Sequence, residues 1–116
     1  MNVPEIQVVD LSNERCVDCR PGTPTLEPAV AAELATALNP DWILSETSIE
    51  RTFRFKSFNA AFGLATRVAL LAEAQGHHPD LEVGWGRLHV RLTTHAIGGL
   101  SRNDLIMAAK IDSLSG

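Results

Sequence analysis

The chain has 116 residues, 45% of them hydrophobic, and a formal net charge of −4 from 10 basic and 14 acidic side chains. This length and composition predict one small globular domain, and the acidic balance lacks the basic patch that nucleic-acid binding usually requires. No apolar run approaches the ~20 residues of a membrane helix. The N-terminus, MNVPEIQVVD, has no signal-peptide pattern, so we expect a cytoplasmic location.

Residues 1–27 are predicted to form an irregular N-terminal segment, because prolines and a glycine interrupt them. This segment contains both cysteines, Cys16 and Cys19, in a C-x-x-C pattern that can form half of a zinc site or a redox pair. The chain has no second C-x-x-C and no thioredoxin-like strand–helix pattern around the first. We therefore interpret the pair as two reduced thiols in a mobile segment.

Residues 28–116 are predicted to form the folded domain, with elements in the order αββαββα. They are a helix at 28–38, strands at 42–46 and 49–55, a central helix at 57–75, two strands within 82–94 and a last helix at 102–113. The strand pattern is clearest where Leu88, Val90 and Leu92 alternate with polar residues. Hairpins separated by helices predict an α+β fold, in which a four-stranded antiparallel sheet has helices packed on one face.

The central helix shows apolar residues at three- and four-residue spacing, which is typical of a buried helical face. The residues expected on this face are Phe58, Phe62, Ala65, Val68, Ala69 and Ala72, with Leu64 and Leu71 widening it. Gly76 follows as the expected C-terminal cap.

All four histidines follow this helix, and three of them are candidates for one site. His77 and His78 are adjacent, and His95 comes directly after the second hairpin. Pro79 favours an extended backbone at His78, and neighbouring side chains of an extended chain point to opposite sides. The two adjacent histidines are therefore expected to do different jobs. Because a hairpin folds back on itself, His95 can return to the neighbourhood of His77.

Three interpretations of these histidines are open. They could be polar loop residues without chemistry, since short motifs have many false positives. They could form a three-histidine zinc site with an open position, although adjacent histidines cannot make the usual i, i+4 helical pair. They could also form an acid/base site in which each imidazole reaches a different atom of one substrate. His89 is interpreted as a partly exposed strand residue.

The run from Glu73 to Asp112 closely resembles the pterin-4a-carbinolamine dehydratases. Their signature is an acidic residue, three further positions, His-His-Pro, an aromatic residue, Thr-His and Gly-Leu-Ser-x-x-Asp. The matching residues are Glu73, His77-His78-Pro79, Trp85, Thr94-His95 and Gly99-Leu100-Ser101-Arg102-Asn103-Asp104. Trp42 and the run 50–58 extend the resemblance to roughly residues 29–113. Leu81 departs from members that have a tryptophan there, so aromatic stacking on a pterin is not expected from this position.

The resemblance implies dehydration of a 4a-hydroxytetrahydropterin to the quinonoid dihydropterin, which recycles the cofactor of aromatic amino acid hydroxylases. His77 and His78 would be general acids for the departing hydroxyl, and His95 the base or a pterin-positioning group. Residues that would support them or bind substrate are Glu73, Pro79, Asp80, Thr94 and Asp104. The pterin is the substrate, and no metal or redox cofactor is implied. Family members form dimers or dimers of dimers, so a homodimer or homotetramer is expected.

Two of the supporting residues have a structural alternative. Glu73 either orients a histidine or is an ordinary polar residue at a helix end. Asp104 closes a capping-box-like Ser-x-x-Asp before the last helix, and we favour this role, with an indirect effect on the site. For the whole chain the alternative is a non-catalytic dimerisation or assembly module on the same fold. The complete set of histidines favours the enzyme.

Overall fold

The computed structural model describes residues 10–115, which form an α+β fold around one four-stranded antiparallel sheet. The elements are α1 (Pro28–Ala35), β1 (Ile43–Leu44), β2 (Ile49–Arg54), α2 (Phe58–Gln75), β3 (Asp80–Gly84), β4 (Arg87–Leu92) and α3 (Arg102–Ser115). The spatial strand order is β1-β2-β4-β3, so β1 and β3 are the edges. The predicted order αββαββα is confirmed, while residues 1–9 of the predicted irregular segment lie outside the described residues.

One face of the sheet is apolar and is covered by helices. Leu88, Val90 and Leu92 are fully buried on this face, so the alternation predicted for β4 is confirmed. The β2–β4 register places Ile49 opposite Leu92 and Phe53 opposite Leu88, which joins the two central strands in one core. Helix α2 packs on β3 and β4, and α3 packs on β2 and β4.

The other face of the sheet is polar. His89 lies there between Thr52, whose Oγ1 is 2.7 Å from Nδ1, and Glu50, whose carboxylate is 2.9 Å from Nε2. This histidine therefore has its partners within the sheet, on the face opposite the helices.

The buried face of α2 differs from the predicted one. Phe58 and Phe62 are 47% and 55% exposed and stack on each other with ring centroids 6.0 Å apart, and Ala69 is also exposed. The residues that α2 buries are Ala61, Leu64, Ala65, Val68 and Ala72. The prediction was wrong for the two phenylalanines because α2 carries apolar residues on two adjacent faces, and only one of them meets the sheet.

The hairpin between β3 and β4 sets which residues lie at the same end of the sheet. Its turn contains Gly86 at φ +68°, where a Cβ would come within 2.6 Å of the Phe55 carbonyl oxygen. Only glycine fits both requirements. The register that follows pairs Asp80 with Arg91. The start of β3, just after His78, therefore lies beside the end of β4.

The described part of the N-terminal segment packs on α3. A single 3-10 turn, Leu11–Asn13, is its one regular element between residues 10 and 27. Leu11 is 1% exposed and belongs to the hydrophobic core, and Lys110 donates to the Ser12 carbonyl at 2.8 Å. Within residues 10–115, none of the helices combines the length and hydropathy needed to cross a bilayer.

Candidate active site

The C-terminal end of α2 directs the two adjacent histidines apart. Gly76 adopts the left-handed conformation at φ 66°, and the His77 N–H returns to the Ala72 carbonyl at 3.2 Å. This reversal is a common way to end a helix. The His77 side chain is 11% exposed, whereas that of His78 is 62% exposed. The two imidazoles therefore occupy different environments, as expected for an extended backbone before proline.

Asp104 is a fully buried carboxylate that joins His77 to the start of α3. Its Oδ1 lies 2.6 Å from His77 Nε2. Its Oδ2 accepts from Thr94 Oγ1 at 2.8 Å and from the Ser101 backbone N–H at 3.0 Å. The second of these bonds is one half of the predicted capping box. Asp104 therefore has both the structural role that the sequence favoured and a direct contact with a candidate catalytic residue.

This network also assigns the protons around His77. Both partners of Asp104 Oδ2 are donors, and an ionised carboxylate can only accept. With Asp104 ionised, His77 Nε2 is the nitrogen that donates to Oδ1, and Nδ1 is left for other partners. Because the Thr94 hydroxyl donates to Asp104, the Ser101 hydroxyl, 2.7 Å away, donates to Thr94. A buried acidic partner of this kind fixes both the orientation and the tautomer of an imidazole.

His78 and His95 have exposed side chains. His78 Nε2 lies 2.9 Å from Glu73 Oε2, one turn back along α2, and both side chains are mostly exposed. His95 opens a short 3-10 turn, His95–Ile97, which begins three residues after the end of β4 at Leu92. Its side chain is 72% exposed, and its Nε2 is 4.0 Å from Asp80 Oδ2. Glu73 thus contacts one histidine and Asp80 is near another.

All three histidines line one open cleft of about 240 Å³. The cleft lies where α2 ends, β4 ends and α3 begins. Its lining residues are Val17, Asp18, Cys19, Gly76, His77, His78, Thr93, Thr94, His95, Ala96 and Asn103. Among the predicted supporting residues, Thr94 lines the cleft directly. Glu73, Asp80 and Asp104 each place a carboxylate oxygen within 4.0 Å of one of its histidines, and Pro79 lies between His78 and β3 without lining the cleft.

Sequence reasoning missed one wall of this cleft. Val17, Asp18 and Cys19 come from the N-terminal segment, and Asn103 from the first turn of α3. The C-x-x-C pattern was the signal for this segment, but it suggested metal or redox chemistry rather than a wall. Both cysteines are free thiols. Burial raises the pKa of the Cys16 thiol to about 11. Cys19 is the cysteine that lines the cleft.

The arrangement of the three imidazoles suits proton transfer. Within residues 10–115, no group of three or more histidine, cysteine, aspartate or glutamate side chains is arranged to hold a metal ion. His77 Nε2 is engaged by Asp104. Three imidazoles in different environments around one cleft can give and take protons at different positions of a bound molecule.

A family model and several known proteins match most of this chain. A family model described as Pterin 4 alpha carbinolamine dehydratase matches residues 24–114. A protein of Paracoccus denitrificans is 49% identical over 110 residues, which cover 91% of this chain and 97% of that protein. A protein of Methylococcus capsulatus is 44% identical over 107 residues, which cover 90% and 93%. Both relatives carry the provisional name pterin-4-alpha-carbinolamine dehydratase.

A solved structure has the same fold. It is a crystal structure from Brucella melitensis, titled as a transcriptional coactivator/pterin dehydratase. Its TM-score is 0.73 at 34% sequence identity, and the match covers 80% of this chain and 100% of that one. The family model spans residues 24–114, which include the three histidines, and the two relatives each cover about nine-tenths of the chain. The chain therefore belongs to the pterin 4 alpha carbinolamine dehydratase family.

Proposed function

We propose that this protein dehydrates a 4a-hydroxytetrahydropterin to the quinonoid dihydropterin. The observation that carries the proposal is the cleft in which His77, held by the buried Asp104, meets the exposed His78 and His95. Family membership supports the same reaction.

The reaction eliminates water from the pterin and involves no oxidation or reduction. The bond between C4a and its hydroxyl oxygen breaks, and that oxygen takes up a proton to leave as water. The neighbouring ring nitrogen loses a proton, and its electron pair forms the new carbon–nitrogen double bond. One proton donor and one proton acceptor on the protein therefore suffice, each contributing on the order of a hundred- to ten-thousand-fold. We propose that the pterin is the substrate and that no metal or redox cofactor takes part.

The three histidines would divide these tasks. His77 and His78 would be the general acids for the departing hydroxyl, and His95 would be the base or would position the pterin. The buried contact to Asp104 supports a fixed orientation for His77. The exposure of His78 and His95 supports rapid proton exchange with water between turnovers. Aromatic amino acid hydroxylases, which form such carbinolamines, would supply the substrate in the cytoplasm.

The decisive experiment is the rate of carbinolamine decay in the presence of the purified protein. A phenylalanine hydroxylase would generate the intermediate in situ, and ultraviolet absorbance would follow its decay. We expect acceleration by the wild type, a loss of about a hundredfold or more with His95→Ala, and no effect of a chelator. If the protein does not accelerate the decay while a known dehydratase does so in the same assay, the proposal of an enzyme would be overturned in favour of the non-catalytic assembly module.

The protein is also proposed to form a homodimer or homotetramer. Two features support this: β3 is an open sheet edge, and the stacked rings of Phe58 and Phe62 are exposed on α2. Open edges and apolar surfaces are commonly covered by a second chain. Light scattering is expected to give two or four times the 12.6 kDa of the chain, and Phe62→Asp is expected to lower that mass. A wild-type mass of one chain would contradict the proposal.

A further inference from the structure

Residues 14–19, which we call the N-terminal strap, are fastened across the end of the histidine cleft. The side-chain amide of Asn103 makes two hydrogen bonds to the backbone of Val17: its Oδ1 accepts from the N–H at 2.9 Å, and its Nδ2 donates to the carbonyl. The Cys16 N–H donates to Gln75 Oε1 at 3.0 Å, which ties the strap to the last turn of α2. Arg102 binds the Glu14 carboxylate through two contacts of 2.7 Å.

Asn103 is committed to this task. It is 3% exposed, its Oδ1 accepts from Val17, and its Nδ2 donates to Val17 and to Cys19 Sγ, the latter at 3.6 Å. A buried amide whose donor and acceptor both meet one backbone residue acts like a neighbouring strand and fixes that residue in place. The next residue, Asp104, holds His77. The first turn of α3 therefore positions two walls of the cleft, one through Asp104 and one through Asn103.

The strap presents polar chemistry to the cleft. Val17, Asp18 and Cys19 all line it, and both backbone groups of Val17 are already bonded to Asn103. Among these three residues, the charged group is the Asp18 carboxylate. A pterin has an edge with an exocyclic amino group beside a ring N–H, two parallel donors that match a carboxylate as a guanidinium does.

We propose that the strap is part of the substrate-binding site, with Asp18 as acceptor for the amino edge of the pterin and Asn103 as the residue that positions the strap. This inference rests on the proposed function. It adds a binding wall from a segment outside the histidine motifs. Because the strap contacts the part of the ring remote from the proton transfers, it should contribute to binding more than to the chemical step.

Steady-state kinetics of carbinolamine dehydration test the inference. Asp18→Asn is expected to raise KM about tenfold, the effect of losing one hydrogen bond to a charged group. Asn103→Ala is expected to raise KM about as much, because the strap and Asp18 are no longer held in place. In both variants kcat should stay within about twofold. The pH profile of kcat should be unchanged. Asn59→Ala is the matched control, because Asn59 is exposed on the first turn of α2, and its KM should equal that of wild type. A purely structural role for Asn103 would instead lower kcat or shift its pH profile through Asp104 and His77.

A second readout is independent of turnover. In a Cys16→Ser variant the one remaining thiol is Cys19, and its alkylation by iodoacetamide can be followed with and without 7,8-dihydropterin. Bound pterin is expected to slow alkylation several-fold, and Asn103→Ala should remove this protection. Normal dehydration with an unchanged KM in both strap variants and no protection of Cys19 would overturn the inference and leave the proposed function standing. Failure of both dehydration and pterin binding would overturn the two together.

Discussion

Replacing Asp104 with asparagine is expected to slow carbinolamine dehydration about a hundred- to ten-thousand-fold while the chain still folds. The amide keeps the shape of the carboxylate and one oxygen for the Thr94 hydroxyl and the Ser101 N–H. Its amino group must then face His77 Nε2, which can no longer donate there and has to accept. A general acid acting from Nδ1 requires the doubly protonated imidazolium, which donates to Asp104 from Nε2. The asparagine amide can neither accept that Nε2 proton nor neutralise the positive charge, so His77 loses its acidic form. Turnover measured at saturating carbinolamine tests this directly.

A matched control lies on the same helix. Asp112 accepts from Trp42 Nε1 and from the Arg51 guanidinium, both at 2.7 Å, and does not line the cleft. Asp112→Asn is expected to destabilise the fold but to leave dehydration by the folded protein unchanged. Asp104→Asn with a wild-type rate would show that the contact between Asp104 and His77 has no part in catalysis.

Replacing either of the two adjacent histidines is expected to slow the reaction, but the two replacements should differ in their effect on the stability of the protein. His77→Ala and His78→Ala should each slow dehydration about a hundredfold or more, because each removes a proposed acid. Only His77→Ala should also reduce the free energy of unfolding, by about 1–3 kcal/mol, because it leaves the buried Asp104 oxygen without its partner. The exposed pair of His78 with Glu73 should contribute less than about 1 kcal/mol. Urea unfolding of both variants measures the difference.

The double variant provides the sharper outcome. If His77→Ala/His78→Ala dehydrates the carbinolamine as fast as the wild type, the assignment of both residues is wrong. Equal stability losses for the two single variants would mean that the His77 contact with Asp104 does not persist in solution.

Local patterns carried much of the fold. The element order, the buried alternation along β4 and the glycine cap at Gly76 all follow from periodicity and from residue types with strong backbone preferences. Hydrophobic periodicity predicted the buried face of α2 less accurately, because it did not show which of two apolar faces meets the sheet. That choice is made by tertiary packing, and it leaves Phe58 and Phe62 exposed.

The histidine cleft was predicted in part. A family resemblance and the hairpin reversal indicated that His77, His78 and His95 lie close together, and all three line the cleft. The contact between His77 and Asp104 joins residues 27 positions apart, and the one between Val17 and Asn103 joins residues 86 apart. Neither contact can be predicted from the spacing of residues or the hydrophobic pattern in the sequence, because each depends on how separate elements pack. The wall formed by residues 14–19 was therefore missed.

The turn at Gly86 has a consequence at the opposite end of its hairpin. Because side chains alternate along a strand, a slip of one residue in the β3–β4 pairing would turn the buried side of β4 towards water. It would also shift His95 by one strand position relative to His78 and replace the pairing of Asp80 with Arg91. The Phe55 N–H donates to the Gly86 carbonyl at 2.8 Å, and this hydrogen bond resists such a slip. The distance between the histidines thus depends on a residue that never approaches the substrate, and a search for inactivating variants confined to the cleft would overlook it.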